Sequence, residues 1–510
     1  MHILKNFLKS AFFYRLKENI YSASSSFIKE NPALVYGLFF MAGVYAKIDS
    51  SFLPFLLPFF AKGKKLKAIF FILVTLGFIY TKIYYPEIPN FEKKEQISGI
   101  FKISAITPYT SFVPGLIYKG RMQITAQNGK TYKNIPVSIF YKKNDRPKGN
   151  FIYKIQGTAS TSLHSQITVK AENWIPLKKT FNFVELRFAL KEKARHFLLQ
   201  NIKHSESANF LIGLITGELN DKFLRFCFNR VGLQHILAIS GFHFGILVLI
   251  FSFILKKFVP YLALPYVLIV IINLYFLYIG NSPSILRSYV SLQIAILAKI
   301  LNKRSFGLNA LGVSLIVELI IDPYNLTNVG FQLSFLSVMA LLLFYPEMSK
   351  MLSYIFLKRN KEDLKVLNIF SKAGSFFINF LREALSITLA VNLALLPVLL
   401  LLFHKFPVFS LLYNLFFPPL IFVSIILLFP SFIFSFFLPS FANFINMINT
   451  AYTKLILTPL LHPPACIEFW VRFKSFSFYF IVLYLIAYFY LGIIIKYRSS
   501  SLAPRAFDYF

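Results

Sequence analysis

Long apolar runs separated by short polar or basic segments make up most of the chain. They lie at Ala33–Ala46, Ser51–Ala61, Ala68–Tyr80, Leu233–Leu255, Phe258–Ile279, Ile285–Leu301, Phe306–Ile321, Gly330–Tyr345, Ala384–Phe403 and Phe476–Ile495. About 20 apolar residues in a helix cross the roughly 30 Å hydrocarbon core of a bilayer. A proline-broken stretch, Phe406–Leu461, adds two crossings. The pattern therefore predicts a polytopic α-helical membrane protein with about 11–12 membrane crossings.

A stretch of different character interrupts this pattern. Five short segments of alternating apolar and polar residues, bounded by turn signals, occupy residues 86–180. They lie at Gln96–Ile106, Leu116–Ala126, Thr131–Tyr141, Asn150–Gln156 and Gln166–Lys170. Such short alternating strands predict a small β-barrel domain, with an OB-like fold as the leading candidate.

Five parts of the chain follow from these patterns. Residues 1–85 hold an amphipathic N-terminal segment and three apolar membrane segments, and residues 86–180 hold the β domain. Residues 181–230 show helical periodicity with interspersed cations and predict amphipathic helices. Residues 231–498 form the main membrane domain, and residues 499–510 form a tail.

Basic clusters give this arrangement an orientation. Lysines and arginines gather before the first run, between the second and third runs, at Lys256-Lys257 and at Lys303-Arg304. Cytoplasmic loops carry this excess of positive charge. Both termini are therefore predicted to be cytoplasmic, and residues 86–230 to be extracytoplasmic.

The composition agrees with a membrane protein, and its excess of positive charge raises the question of an anionic partner. Of the 510 residues 56% are hydrophobic, the mean hydropathy is +0.61, and the formal net charge is +33. This excludes an ordinary soluble protein. The basic excess suits an anionic partner such as nucleic acid or acidic lipid, but a Lys- and Phe-rich genome produces part of it without any function. No nucleotide-binding or metal-binding motif is present, so no cofactor is predicted.

One apolar run opens with residues that a bilayer rejects. The stretch Gly232–Gly245 contains His235, Ser240, Gly241 and His243. Hydrocarbon offers no hydrogen-bond partners, so such residues face other helices or a wet cavity, and the Ser-Gly pair allows close packing or a break in the helix. They are candidates for a polar translocation path. The alternative is hydrogen bonding between helices. The two histidines are expected about two turns apart, near one face of a helix, without a third metal ligand.

Further polar residues sit inside other runs. Arg287 lies early in its run, where it either snorkels to the interface or faces a pore for phosphates. Gln332, Ser334 and Asn414 are also candidates for the path, and helix–helix hydrogen bonding is again the alternative.

Several of these motifs, in order, resemble the ComEC family of competence proteins. They are Leu214-Ile215-Thr216-Gly217-Glu218, Gly232–Gly245, Gly280 with Pro283-Ser284 and Arg287, Asp322-Pro323 with Gly330–Phe335, and Pro397 followed by Tyr413-Asn414 and Pro418. The resemblance implies an inner-membrane channel of bacteria that passes single-stranded DNA into the cytoplasm during transformation. It also implies a cytoplasmic helicase-like ATPase and a separate DNA receptor as partners, besides membrane lipid. Many members carry a metallo-β-lactamase-like nuclease domain, which these 510 residues do not contain, so a non-enzymatic channel served by a separate nuclease is expected.

The β domain would then receive the DNA strand. OB-like domains bind single strands through a basic groove and stacked aromatic rings. Residues 86–180 hold 15 Lys or Arg against 5 Asp or Glu. The candidate contacts are Lys119, Arg121, Lys142, Lys143 and Arg146, with Tyr118 and Tyr141 for stacking.

Two other functions remain open. A transporter for another anionic solute, such as a nucleotide or a lipid precursor, could use the same broken helices and arginine. A membrane scaffold would use the buried polar groups for helix packing alone. A small-solute transporter usually has an internal repeat, and none is evident in this sequence.

Overall fold

The computed structural model describes residues 22–48, 63–84, 89, 91, 95–110, 114–126, 129–142, 145–161, 167–357, 359, 367–463, 470–472 and 477–499. The predicted run Ser51–Ala61 lies outside these residues. The chain divides into two compact units. The first comprises Met1–Met41, Val290–Phe417 and Phe469–Phe510, and the second comprises Ala42–Tyr289 and Pro418–Glu468.

The described helices follow the predicted apolar and amphipathic segments. In chain order they are α1 (residues 22–30), α2 (Pro32–Ile48), α3 (Lys64–Tyr84), α4 (Val184–Asn201), α5 (Ser205–Thr216), α6 (Lys222–Arg230), α7 (Gln234–Leu237), α8 (Gly241–Leu255), α9 (Leu264–Ile279), α10 (Pro283–Ile300), α11 (Gly307–Ile321), α12 (Val329–Ser353), α13 (Ile369–Phe403), α14 (Ser410–Phe437), α15 (Pro439–Leu461) and α16 (Phe478–Ser499). A 3₁₀ helix, Pro323–Thr327, joins α11 to α12.

Five of the described helices are long and apolar enough to cross a membrane. These are α3, α12, α13, α14 and most of α16, while α2, α8, α9 and α11 are apolar but shorter. This is consistent with a multi-pass membrane protein. α13 has 35 residues and begins at Ile369, well before the predicted start at Ala384.

The β domain belongs to the second unit, and its five predicted strands are confirmed. They are β1 (Glu95–Thr110), β2 (Pro114–Ala126), β3 (Thr131–Tyr141), β4 (Phe151–Thr161) and β5 (Ile167–Lys179). Each strand has two hydrogen-bonded neighbours, in the closed order β1-β2-β3-β5-β4, and only β3 and β5 run parallel. Alternate side chains point inward, and Phe101, Tyr118 and Ile155 are fully buried.

The first unit contains α11, α12, α13 and α16. The ring of Phe344 on α12 stacks on Tyr488 of α16, with centroids 4.1 Å apart, and the Tyr488 hydroxyl donates to the carbonyl of Ala390 on α13. Two short strands, β6 (Lys405–Pro407) and β7 (Trp470–Arg472), pair antiparallel in this unit.

Candidate functional site

The polar stretch of the run Leu233–Leu255 does not form a continuous helix. A single turn, α7, ends at Leu237, and α8 starts only at Gly241. Ala238 and Ser240 between them have extended backbone angles, with φ of −83° and −134°. The two histidines therefore do not share one helix face, contrary to the expectation from their spacing. His235 on α7 is exposed, whereas His243 in the first turn of α8 is 5% exposed.

His243 closes the first turn of α8. Its backbone N–H donates to the Ser240 carbonyl, 3.1 Å away, and its ring Nδ1 accepts from the Ser240 backbone N–H at 3.3 Å. Because Nδ1 accepts, the neutral ring carries its proton on Nε2. Nε2 is buried, and it has no hydrogen-bond partner within the described part of the chain. The ring thus offers a spare N–H donor beside the start of the helix.

Gly241 brings the start of α8 against α10. A Cβ atom at Gly241 would lie 3.1 Å from Ser288 Oγ and 3.6 Å from Arg287 Nη2. Arg287 is only 8% exposed, and its Nη2 donates to Ser288 Oγ at 3.2 Å. Ser288 Oγ in turn donates to the Ser284 carbonyl at 2.7 Å. A guanidinium and a helix N-terminus therefore lie side by side in a buried place.

This arrangement suits an anion. The first N–H groups of a helix lack partners inside the helix, and the N-terminus carries roughly half a positive charge. A guanidinium adds planar donors that match a phosphate or a carboxylate. The guanidinium of Arg287 is buried and lies near the start of α8. We call Gly241, His243, Arg287 and Ser288 the donor cluster.

The carboxylate of Glu218, in the turn that follows α5, is bound by two cations of α4. Lys191 on α4 is 7% exposed and donates to Glu218 Oε1 at 2.7 Å, while Arg195 lies 3.6 Å from Glu218 Oε2. Burial lowers the pKa of Lys191 and the charge of Glu218 partly restores it. Gly217, with φ of +72°, lets the chain turn here, and a Cβ on it would lie 2.8 Å from Ile239 Cδ1. The turn that contains Gly217 and Glu218 thus lies next to Ile239, in the break between α7 and α8.

The remaining path candidates lie in the first unit. Gln332 Nε2 donates to the Leu326 carbonyl at 2.9 Å, which ties the start of α12 to the 3₁₀ helix. The backbone carbonyl of Ser334 accepts from Ser337 Oγ at 3.0 Å. Asn414 in α14 has a buried Oδ1 without a hydrogen-bond partner among the described residues. For Gln332 the helix-packing alternative thus has a direct hydrogen bond to support it.

Most DNA-contact candidates lie on or near the barrel surface, but Tyr118 does not. Tyr118 is fully buried, and its hydroxyl donates to the Pro147 carbonyl at 2.9 Å. Tyr141 packs edge-on against Tyr118 and Trp174. Tyr118 lies inside the barrel, so a DNA-binding surface has to be built without it, whereas Tyr141 is only partly buried at the end of β3.

The basic candidates divide into two groups. Lys119 is exposed, Arg121 Nη1 donates to the Asn134 carbonyl at 3.2 Å, and Lys142 Nζ lies 5.7 Å from the centroid of the Phe140 ring. Arg146 is instead bound by a carboxylate, that of Glu185 on α4. Lys143 lies outside the described residues.

Two functional features were missed by sequence reasoning. The first is Ser288, which follows Arg287 directly in the sequence. Nothing in the sequence showed that it faces Gly241. The pairing of Lys191 with Glu218 joins residues 27 positions apart and leaves no periodic signal. Across the described residues, no group of three or more His, Cys, Asp or Glu side chains is placed to hold a metal ion.

Comparison with known proteins adds independent findings. A family model described as "Competence protein" matches residues 218–498. The ComE operon protein 3 of Bacillus subtilis (strain 168) is 28% identical over 195 residues, which are 38% of this chain and 22% of that protein. The match thus spans about a fifth of the relative's length. No solved structure matches the chain with significance.

Proposed function

The chain belongs to the competence protein family, and from this premise we propose that it is a bacterial inner-membrane channel for DNA uptake, through which one DNA strand passes into the cytoplasm. The family match covers residues 218–498, which include the helix break, the donor cluster and the path candidates of the first unit. A role in DNA uptake during competence follows from the family. Transport of a single strand is the more specific part of the proposal.

The observation that carries this proposal is the buried pairing of Arg287 with the start of α8. A guanidinium and the first N–H groups of a helix are both donors that suit a phosphate. A passing strand supplies a phosphate at every nucleotide. The guanidinium of Arg287, the first N–H groups of α8 and Nε2–H of His243 then bind each phosphate in turn.

The break between α7 and α8 is where the strand would meet the donor cluster. At membrane depth, unpaired backbone groups are tolerated only where they are buried in protein or line a wet path. Residues 238–240 provide such groups between two helical segments. Exposed His235 lies before the break and buried His243 after it, so we propose that the strand passes from α7 toward the donor cluster.

The barrel has the second role in this proposal. We propose that it is an OB-like domain on the outer face of the membrane, where it takes up the incoming strand, and that both termini are cytoplasmic. A DNA receptor and a nuclease outside the membrane, and an ATPase in the cytoplasm, would complete the process. Five closed strands with a net excess of ten positive charges in residues 86–180 support the binding role.

DNA uptake by living cells tests the proposal. Cells carrying the wild-type chain, a deletion, Arg287→Ala or Arg287→Lys at matched membrane levels receive fluorescent DNA, and cytoplasmic fluorescence is counted. The deletion and Arg287→Ala should both lose the cytoplasmic signal while DNA still collects outside the membrane. Arg287→Lys keeps the charge but loses the planar donors and should retain part of the signal. Normal uptake in the deletion strain would reject the channel and favour the transport of another anionic solute.

A further inference from the structure

The outer surface of three neighbouring barrel strands carries a concentration of positive charge. Neighbouring side chains along a strand point to opposite faces, so the buried residues Phe101, Tyr118 and Ile155 fix the outward positions. Lys102 on β1, Lys119 and Arg121 on β2, and Lys154 on β4 all point outward. The strands are adjacent in the order β4-β1-β2. We call these four residues the basic face.

The strand register brings the charges close together. Lys102 pairs directly with Arg121 across β1 and β2. Lys154 pairs with Ile100, two residues before Lys102 on the same face of β1. Side chains directly opposite on antiparallel strands have Cβ atoms about 5 Å apart, and diagonal neighbours about 7–8 Å. Like charges placed this way repel each other and weaken the sheet.

Apart from Glu95 at the start of β1, these strands carry no acidic side chain. The segments 96–104, 119–125 and 152–158 contain neither Asp nor Glu. The other outward residues among them include Gln96, Gln123 and Gln156, which are uncharged hydrogen-bonding groups. A sheet face whose central segments hold four cations and no acid suits an anionic partner.

The neutral residues of the face favour a nucleic acid over a lipid surface. A protein segment that binds in the lipid interface inserts several large apolar side chains. Within the three segments, Ile100 is the only exposed large hydrophobic residue. The glutamine amides instead offer donors and acceptors to bases and sugars, while the cations neutralise phosphates.

We propose that this basic face of β4, β1 and β2 is the surface on which the barrel binds single-stranded DNA. The proposal rests on the proposed function, because it names the surface of the domain that receives the strand. It replaces the buried ring of Tyr118 with Lys102 and Lys154 as contacts. It keeps Lys119 and Arg121.

Oligonucleotide binding to the full-length chain tests this surface. The chain is placed in nanodiscs of a zwitterionic lipid, and the anisotropy of a labelled oligodeoxythymidine is followed across a salt series. The test variant is Lys102→Gln/Lys154→Gln. The matched control, Lys193→Gln/Lys203→Gln, removes two exposed positive charges outside the barrel in the same unit.

Counterion release sets the expected size of the effect. Each phosphate contact contributes a slope of about 0.7 in log affinity against log salt for single strands. Two lost contacts should lower the slope by about 1.4, which is about 25-fold in affinity at about 0.1 M salt. The control variant should stay within about twofold of wild type, since a distant charge does not release counterions from the bound strand.

Three results would overturn the inference. The first is an equal loss in the test variant and the control, because net charge alone would then explain the binding. The second is a test variant with unchanged oligonucleotide binding that has lost its binding to phosphatidylglycerol vesicles, because the face would then be a lipid contact. The third is a wild-type chain that does not bind the oligonucleotide at all. None of these results decides the transport proposal, which the uptake of DNA by Arg287 variants tests separately.

Discussion

Glu185 connects the barrel to α4, and its replacement by Gln should loosen that connection. Its carboxylate binds the guanidinium of Arg146 through both oxygens and accepts the Gly149 backbone N–H at 2.7 Å. The Arg146 guanidinium also lies 4.5 Å from the centroid of the Phe188 ring on α4. One carboxylate therefore holds the loop 145–150 against α4.

The size of the effect follows from the exposure of the pair. A hydrogen bond to a charged group contributes about 1.5–3 kcal/mol, and an exposed ion pair less than about 1 kcal/mol. The Arg146 and Glu185 side chains are 30% and 25% exposed, between these limits. We expect Glu185→Gln to cost about 2 kcal/mol of local stability, or about 30-fold faster opening of the loop. Hydrogen exchange of peptides covering residues 145–150, followed by mass spectrometry, measures that rate.

The effect of pH has a definite sign. Burial alone raises the pKa of Glu185, but the hydrogen bonds from Arg146 and Gly149 and the nearby positive charge outweigh it, so the pKa lies below its ordinary value of 4.5. A carboxyl with a lowered pKa in the folded state stabilises that state above its ordinary pKa, and this contribution is lost as pH falls through the lowered value. The difference between wild type and Glu185→Gln should therefore be full at pH 7 and shrink below about pH 4.5.

Glu172→Gln is the control, since Glu172 is an exposed carboxylate on β5 of the same barrel. It should leave exchange in the loop unchanged. Exchange in Glu185→Gln that equals wild type at pH 7 would show that the carboxylate does not hold the loop, and the reasoning from its three contacts would be refuted.

Three further changes probe the barrel and the segment beside the helix break. Gly217→Ala should destabilise the chain by about 1–2 kcal/mol because Gly217 has a left-handed backbone. The added Cβ would also clash with Ile239. Since Ile239→Ala removes that clash, the double variant should regain part of the thermal stability measured in detergent. Lys191→Met should cost about 3 kcal/mol because it leaves Glu218 buried with less compensation, and adding Glu218→Gln should restore most of the melting temperature. Tyr118→Phe should cost about 1 kcal/mol of stability through its lost hydrogen bond, yet oligonucleotide affinity should stay within about twofold of wild type.

Hydrophobic patterning predicted much of the fold. Alternation between turn signals located all five strands, because one face of each strand must fill the barrel. It placed the end of β5 too early, near Lys170 instead of Lys179, since the exposed end of that strand buries few side chains. The helix break near Ser240 was also signalled, because polar groups and glycine have no place in an unbroken lipid-facing helix.

Spatial neighbours were predicted less well. Strand alternation separates Tyr118 from Lys119, but only the register shows that Tyr118 is inside and that Lys102 faces Arg121. The contact of Gly241 with Ser288 depends on how two helices pack, which no local pattern encodes. Sequence reasoning identified Arg287, Gly241 and His243 individually, and the structure brings them together around one helix start.

The central claim is that a DNA strand passes the helix break next to the donor cluster, and crosslinking tests it most directly. A photoreactive amino acid replaces His235, which is exposed before the break, or Phe253, which is exposed near the far end of α8. Cells take up DNA that carries a bulky end group and stalls during transport, and they are then irradiated. We expect DNA to crosslink to the chain at position 235 and not at position 253. Replacing Arg287 by Ala as well should abolish the crosslink at position 235. Stalled DNA that crosslinks at neither position, although uptake depends on the chain, would contradict it.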